Sequence, residues 1–271
     1  MRYGCVITPD QIEAAIAAGF DYIELPARAL DPEGDHELAL RTIGRALAKS
    51  RRPVEVEVFS GLLPADLPLV GPAVDEARLR RYLHRAFTDM WALGGLLVVL
   101  ASAPSRHIPA GFPRAQAAAQ FAHALALIAE EADRNGLDLA LAPVQHPETS
   151  LLSTLGECRR FLADQRLERV WLLADSSQLA DAGEPLAVVR DCGALIAHVH
   201  VADRQRQPPG QGDLDLGPFF AALRTIGYDR RIAIACTWRD FGVEAAPALA
   251  CVRQQWEMSA GAAGGRAPAR S

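Results

Sequence analysis

The sequence predicts a single closed (β/α)8 barrel, the TIM barrel architecture, over its 271 residues. Three observations point there. Eight short apolar or β-branched runs alternate with longer helical patterns, as in successive βαβ units around a parallel sheet. The first βα turn carries no glycine-rich phosphate fingerprint, which disfavours an open dinucleotide-binding sheet. Finally, the two connections longer than the usual βα length of about six residues, 60–74 and 101–114, both follow strands, so both fall on the C-terminal rim where barrel active sites are built.

The strand candidates, in order, are 3–7, 21–25, 54–59, 96–100, 137–141, 170–174, 196–201 and 231–235. Thr8 as N-cap, Pro9 at the first helical position and Gln11 at the capping-box position start the first helix, and Gly19 stops it. Asn135 and Gly136 end the fourth helix in the same way. The barrel is expected over 1–259. Beyond it, 260–271 is expected to be a disordered tail, because the GAAGGRAPARS segment lacks an apolar period.

Composition narrows the function classes. Half of the residues are hydrophobic and 23% are charged, enough to bury a full core. The net charge of −5 and the lack of any basic run leave no footprint for nucleic acid, so a small molecule is the expected partner. The longest uncharged apolar stretch, 91–103, is shorter than the roughly 18 residues of a membrane span, and no signal-peptide pattern opens the chain, so no membrane association and a cytoplasmic location are expected. Five cysteines without a CxxC pair argue against a disulfide framework or a structural zinc site. The single lysine, Lys49, falls before the third strand on the face opposite the rim, which sets aside Schiff-base chemistry.

The polar residues expected on the rim are Glu24, Arg106, Gln145, His146, Glu148, Asp175, Gln178, His198, His200, Asp203, Arg204 and Arg206. His198 and His200, two apart on a strand, point to one side, which can be the lumen. Their HVH triplet is read either as a metal or proton-transfer signal or as a pair of hydrogen-bonded core histidines. Cys5 and Cys236 read as packing rather than as nucleophiles. For Glu24 a rim ion pair and a substrate contact are both open. Glu55 and Glu57 share a strand face and are read as structural pairing in preference to lumen acids.

Several segments together resemble the xylose isomerase-like, or AP-endonuclease-2-like, barrels, the sugar phosphate isomerases and epimerases. They are GFDYIEL (19–25), LLPADLPLVGPAVD (62–75), SRHIPAGF (105–112), PVQHPETSLLST (143–154), LLADSSQ (172–178), HVHVADRQRQPPGQGDLD (198–215) and IGYDRRIAI (226–234). The resemblance implies a rim site in which Glu, Asp, His and Glu hold one divalent ion such as Mn or Mg, with the two glutamates moving the substrate's proton. Carried over, the aspartate is Asp175 and the histidine His200, but the glutamate positions fall on Ala142 and Ala235. Gln178 stands where the family has a substrate-contacting histidine, whereas Glu148, Arg206 and Arg106 match residues that hold substrate.

A hard divalent ion takes about six oxygen or nitrogen ligands, and Asp175 with His200 supply two donors and one negative charge. No tightly bound metal or other cofactor is therefore expected. The expected function is a divergent, metal-independent isomerase- or epimerase-like enzyme acting on a small polyhydroxylated or carboxylated substrate by isomerisation, epimerisation, elimination or hydrolysis. Asp175, His200 and Glu148 are its catalytic candidates, with His200 and Asp175 paired as a general base. Arg206, Arg106, Gln178, His146 and Glu24 are the substrate-binding candidates. The alternative is a non-catalytic descendant that binds a sugar-like ligand or a partner. The resemblance also implies a homodimer as a candidate assembly, whereas the DNA-repair branch is disfavoured because its three-metal chemistry needs more His and acidic ligands than this chain offers.

Overall fold

The computed structural model of the chain describes residues 1–50, 54–144 and 151–263. Its eight strands form a closed parallel barrel in sequence order. They are β1 (Arg2–Val6), β2 (Tyr22–Pro26), β3 (Val56–Ser60), β4 (Leu97–Leu100), β5 (Asp138–Leu141), β6 (Val170–Asp175), β7 (Ile196–Val201) and β8 (Arg231–Ile234), and β8 pairs back onto β1. Each lies within a residue or two of its expected position, because in a fully buried parallel strand the apolar run itself marks the element.

The helices form the outer layer: α1 (Ile12–Ala18), α2 (His36–Ala48), α3 (Glu76–Ala92), α4 (Arg114–Arg134), α5 (Leu155–Asp164), α6 (Ser176–Asp181), α7 (Ala187–Cys192), α8 (Gly217–Thr225) and α9 (Phe241–Ala263). The expected first-helix start is a 3-10 turn over Pro9–Gln11 with the Thr8 and Gln11 capping box, and Gly19 closes α1 at φ +93°, a conformation that glycine adopts without Cβ strain. After β6 the single expected helix is two short ones, α6 and α7, separated by a turn in which Gly183 has φ +61°. The boundary expected after Ser259 falls inside α9, which runs to Ala263. Ser259 is buried and hydrogen-bonds Trp256 and Arg224, so this turn still packs on the barrel.

Two register shifts shape the lumen. The β2–β3 register passes from Ile23↔Val56 to Glu24↔Val58 and skips Glu57; the β6–β7 register passes from Leu172↔Ile196 to Leu173↔His198 and skips Ala197. Such bulges re-aim side chains. The first separates Glu55, which is exposed, from Glu57, which is buried beneath the lumen and paired with Arg231 at 2.5 Å and with Arg2. Glu57 is thus a structural ion pair, as expected, and the common face is broken. Lys49 caps α2 and meets Glu13 at 2.6 Å on the surface.

The lumen is filled from small and large residues in alternation, among them Tyr22, Val58, Leu97, Val99, Ala140, Ala142, Leu173 and Ala233. Gly4 makes room for Tyr22: a Cβ there would stand 2.3 Å from the ring, which is itself fully buried and has nowhere to move. Gly4→Ala is expected to destabilise the fold by about 1–3 kcal/mol through overpacking. Its urea-unfolding midpoint should fall by the corresponding amount, and an unchanged midpoint would show that the ring can yield.

Candidate functional site

The C-terminal half of the lumen is polar because β2, β6 and β7 each place ionisable side chains there. Asp175 ends β6, and its register partner on β7 is His200, whose partner on β8 is Ala233. Glu24 reaches across the lumen from β2. Its carboxylate accepts one hydrogen bond from His198 Nε2 at 2.8 Å and one from His200 Nε2 at 2.9 Å, with all three side chains nine-tenths buried or more. The two rings meet edge to face with centroids 5.0 Å apart.

Burial by itself would raise the Glu24 carboxyl, but the charges and hydrogen bonds of the two imidazoles outweigh it and hold the group well below the usual carboxylate range. His198 is pushed below its ordinary value of 6.5, chiefly by burial. An ionised carboxylate between two Nε2–H donors satisfies both directions, and it fixes the tautomer of His200 so that Nδ1 faces away from Glu24. That nitrogen stands 3.8 Å from Asp175 Oδ2. His200 is 8% exposed and His198 not at all, so His200 is the outer member of the group.

The expected His200–Asp175 pair is therefore corrected. The hydrogen-bonded partner of His200 is Glu24, and 3.8 Å is too long for a hydrogen bond to Asp175. Asp175 is committed elsewhere: one oxygen caps α6 by accepting from Gln178 N at 3.0 Å, and the other accepts from Arg206 Nη1 at 2.6 Å. The same Arg206 nitrogen lies 3.3 Å from the Ala235 carbonyl oxygen, and the side chain is about one-third exposed at the rim.

The loop after β7 is built to aim Arg206 inward. Asp203, 2% exposed, accepts hydrogen bonds from the backbone N–H groups of Arg204, Gly212 and Leu214 at 2.8–2.9 Å and so closes the loop on itself. Gln205 and Arg206 are both left-handed, with φ of +56° and +60°. For residues other than glycine this costs about 1–3 kcal/mol each and persists where surrounding contacts fix it. The Arg206 carbonyl accepting from Thr237 N at 2.7 Å is one such contact. Nothing in the sequence distinguished Asp203 from the other polar residues of HVADRQR, since its role depends on backbone nine and eleven residues ahead.

Other candidates sit differently. Arg106 was expected on the rim but is fully buried: its guanidinium donates to the Ala142 carbonyl at 2.7 Å and lies over the Phe121 ring, and burial lowers its pKa to about 10. It ties the β4 loop to the end of β5. Gln178 is half-buried in the first turn of α6, with Oε1 lacking a hydrogen-bond partner among the described residues. His146 and Glu148, with Gln145, lie outside the described residues. Cys5 and Cys236 carry thiols that burial raises above their ordinary value, which fits packing.

The donor set implied for a divalent ion does not fit this chain. At the ends of β5 and β8 the positions are the methyl groups of Ala142 and Ala235, with Ala142 packed into the apolar lumen cluster. Asp175 and His200 are already engaged by Arg206 and Glu24. Among the described residues, Glu24, His198 and His200 are the group whose ligand atoms lie close enough together, within 4.8 Å, to share an ion. Their 2.8 and 2.9 Å contacts are nonetheless those of hydrogen bonds.

At the rim ends of β1, β2, β3 and β8 lies a cavity of about 340 Å³ bounded by Thr8, Gln11, Arg28, Ser60, Cys236 and Trp238; Glu24, His200, Asp175 and Arg206 are not part of its lining. Larger grooves of about 450 and 500 Å³ lie on the helix layer, near Glu130 and Arg169 and near Met258. They contain none of the rim residues. No helix is long and apolar enough to cross a membrane among the described residues.

A family model described as xylose isomerase-like TIM barrel matches residues 12–255, nearly the whole barrel. The chain belongs to the xylose isomerase-like TIM barrel family. Curated relatives include the ketose 3-epimerase of Arthrobacter globiformis, 27% identical over 219 residues, covering 78% of this chain and 71% of that protein. Another is the 3-dehydro-D-guloside 4-epimerase of Escherichia coli (strain K12), 27% identical over 168 residues; the match takes in 59% of this chain and spans 64% of the relative's length. Among solved structures, D-psicose 3-epimerase in the presence of D-fructose superposes with a TM-score of 0.79 at 20% identity, over 94% of this chain and 99% of that one, which shows the shared fold.

Proposed function

We propose that this chain is a sugar epimerase- or isomerase-type enzyme that moves a proton on a small polyhydroxylated carbonyl compound and does so without a tightly bound divalent ion. The observation that carries the proposal is the Glu24–His200 pair at the accessible end of the lumen, set against the Asp175–Arg206 pair. A carboxylate bonded to one imidazole nitrogen leaves the other as an acceptor, the arrangement of an oriented general base. His200 Nδ1 takes the proton from the carbon beside the carbonyl, and Glu24 stabilises the imidazolium that results. Arg206, a fixed cation about one-third exposed, faces the oxygen on which negative charge develops. The rim cavity at the ends of β1, β2, β3 and β8 falls within the size range of small-molecule sites, ~300–1,000 Å³, and its Thr8, Gln11, Arg28 and Ser60 suit hydroxyl groups. The sugar epimerases among the relatives support the substrate class.

One base serving one face returns the proton to the neighbouring carbon and gives isomerisation; inversion at the same carbon needs an acid on the opposite face as well, a role for which Glu148 remains the candidate. The test is product analysis from a panel of ketoses and 3-keto sugars with chelator-treated protein. Conversion of one member to its epimer or its aldose supports the proposal, and the product tells which. A second reading, a non-catalytic binder of sugar-like ligands, draws on the two alanines and on the mutual neutralisation of Asp175 and Arg206. It would be favoured by saturable binding without conversion.

A further inference from the structure

We propose that the substrate carries an acidic end group, a carboxylate or a phosphate, and that Arg28 binds it in the rim cavity at the ends of β1, β2, β3 and β8. Arg28 stands on a 3-10 turn, Ala27–Leu30, that follows β2 directly and is anchored by the buried Ala27 and Leu30, so the turn keeps the arginine at the cavity wall. Its side chain has no ion pair, hydrogen bond or ring contact among the described residues. By contrast, Arg206 and Arg204 on the same rim pair with Asp175 and Asp213. The nearest acid along the chain, Asp31, accepts from Asp35 N at 2.9 Å within its own turn.

The rest of the lining is rich in donors and poor in acceptors. No carboxylate borders the cavity among the described residues, so the guanidinium is uncompensated there. Burial raises the Cys236 thiol, which therefore brings no negative charge. Gln11 adds a directed donor. The Thr8 backbone N–H, which can only donate, and the Thr8 hydroxyl both bond Gln11 Oε1, at 3.0 and 3.1 Å, so the amide is fixed with the two N–H groups of Nε2 turned away from them. A sugar hydroxyl both donates and accepts, whereas a carboxylate or phosphate oxygen only accepts, and the planar guanidinium fork matches either anion. Thr8 and Ser60 remain for hydroxyl groups of the same ligand. The cavity also shares strands with the proton-transfer group: Val6, in its lining, is the register partner of Glu24, and Cys236 follows the Ala235 whose carbonyl meets Arg206. The inference rests on the proposed function for the reaction, but its test reads binding, so the two fail separately.

Isothermal titration at low ionic strength with D-fructose, D-fructose 6-phosphate and D-fructuronate, ketoses that differ only at C6, tests it. The wild type should bind at least one of the acidic sugars about 10- to 100-fold tighter than D-fructose, the usual worth of hydrogen bonds to a charged group, and the favoured one tells phosphate from carboxylate. In Arg28→Gln that preference should vanish, and in Arg28→Lys, which keeps the charge without the fork, it should be intermediate. Added salt should weaken it in the wild type. Arg28 is exposed, so both variants should fold, which circular dichroism checks. Equal affinities of the wild type for the three sugars, no binding of either acidic sugar, or the same preference in the wild type and Arg28→Gln would each overturn the proposal. If no sugar is converted, the enzyme reading falls while the binding preference stands; if neutral ketoses are converted and the preference is missing, the reverse holds.

Discussion

Replacing Glu24 with alanine is expected to lower the unfolding free energy by about 3–5 kcal/mol, because breaking a buried ionic and hydrogen-bonded group leaves its partners without their acceptor. Both Nε2 donors lose their bond at once, in a part of the lumen where Glu24 and His198 have no exposure to water. Glu24→Gln keeps the volume and one acceptor oxygen, so it should cost markedly less. Urea-unfolding midpoints of the two variants check both statements, and a Glu24→Ala midpoint equal to that of the wild type would show that the lumen group contributes nothing to stability.

The same group makes stability depend on pH. The Glu24 carboxyl is held below its ordinary 4.5 in the folded state, so its contribution is complete above that value and is lost as pH falls toward the folded pKa. His198 is held below 6.5, so the unfolded chain takes up the proton first as pH drops through 6.5, and stability declines below that point. Both effects act in one direction, toward acid lability. With His198 held below its unfolded value, urea midpoints between about pH 7 and pH 5 should fall for the wild type and fall less for His198→Gln, which has no imidazole to charge at that position. Parallel curves for the two proteins would remove His198 as the cause.

The second large effect is expected at His200. Its replacement by asparagine should reduce proton transfer to substrate by about 10²–10⁴-fold, the usual worth of a positioned general base. The loss belongs in kcat, with KM little changed, since the imidazole acts on the proton and not on the hydroxyl groups that hold the sugar. His200 is the slightly exposed member of the pair, so the smaller side chain of His200→Asn should disturb folding less than the loss of Glu24 does. Equal activity of wild type and His200→Asn would exclude His200 as the base.

The barrel was legible because each of its units carries local signals. The Thr8–Gln11 capping box, Gly19 and the Asn135–Gly136 stop act within a few residues, and the buried parallel strands are short apolar runs. The site was legible only as a membership. Strand ends identified Glu24, Asp175, His200 and Arg206 as rim residues, but which of them pair depends on contacts across 174 and 176 positions of sequence, as for Glu24 with His198 and His200. Strand parity alone does not choose between Asp175, adjacent on the next strand, and Glu24, across the lumen. The inward burial of Arg106 was not legible for another reason. Arginines are mostly exposed, and the Phe121 ring and Ala142 carbonyl that receive this one come from α4 and the end of β5.

The bulge at Glu57 likewise overrode the simple alternation that would have put Glu55 and Glu57 on one face, since a one-residue shift in register exchanges the faces of a strand. Asp203 shows the converse. Its chemistry is ordinary, and only the folded loop reveals that it sets the conformation from which Arg206 reaches Asp175.

The most direct test of the account is deuterium exchange from D2O into ketose substrates, followed by NMR, with chelator-treated wild type and His200→Asn side by side. The account predicts exchange at the carbon beside the carbonyl with the metal-free wild type and its loss in His200→Asn. Exchange that vanishes on chelation and returns only with added divalent ion, or that survives unchanged in His200→Asn, would contradict it.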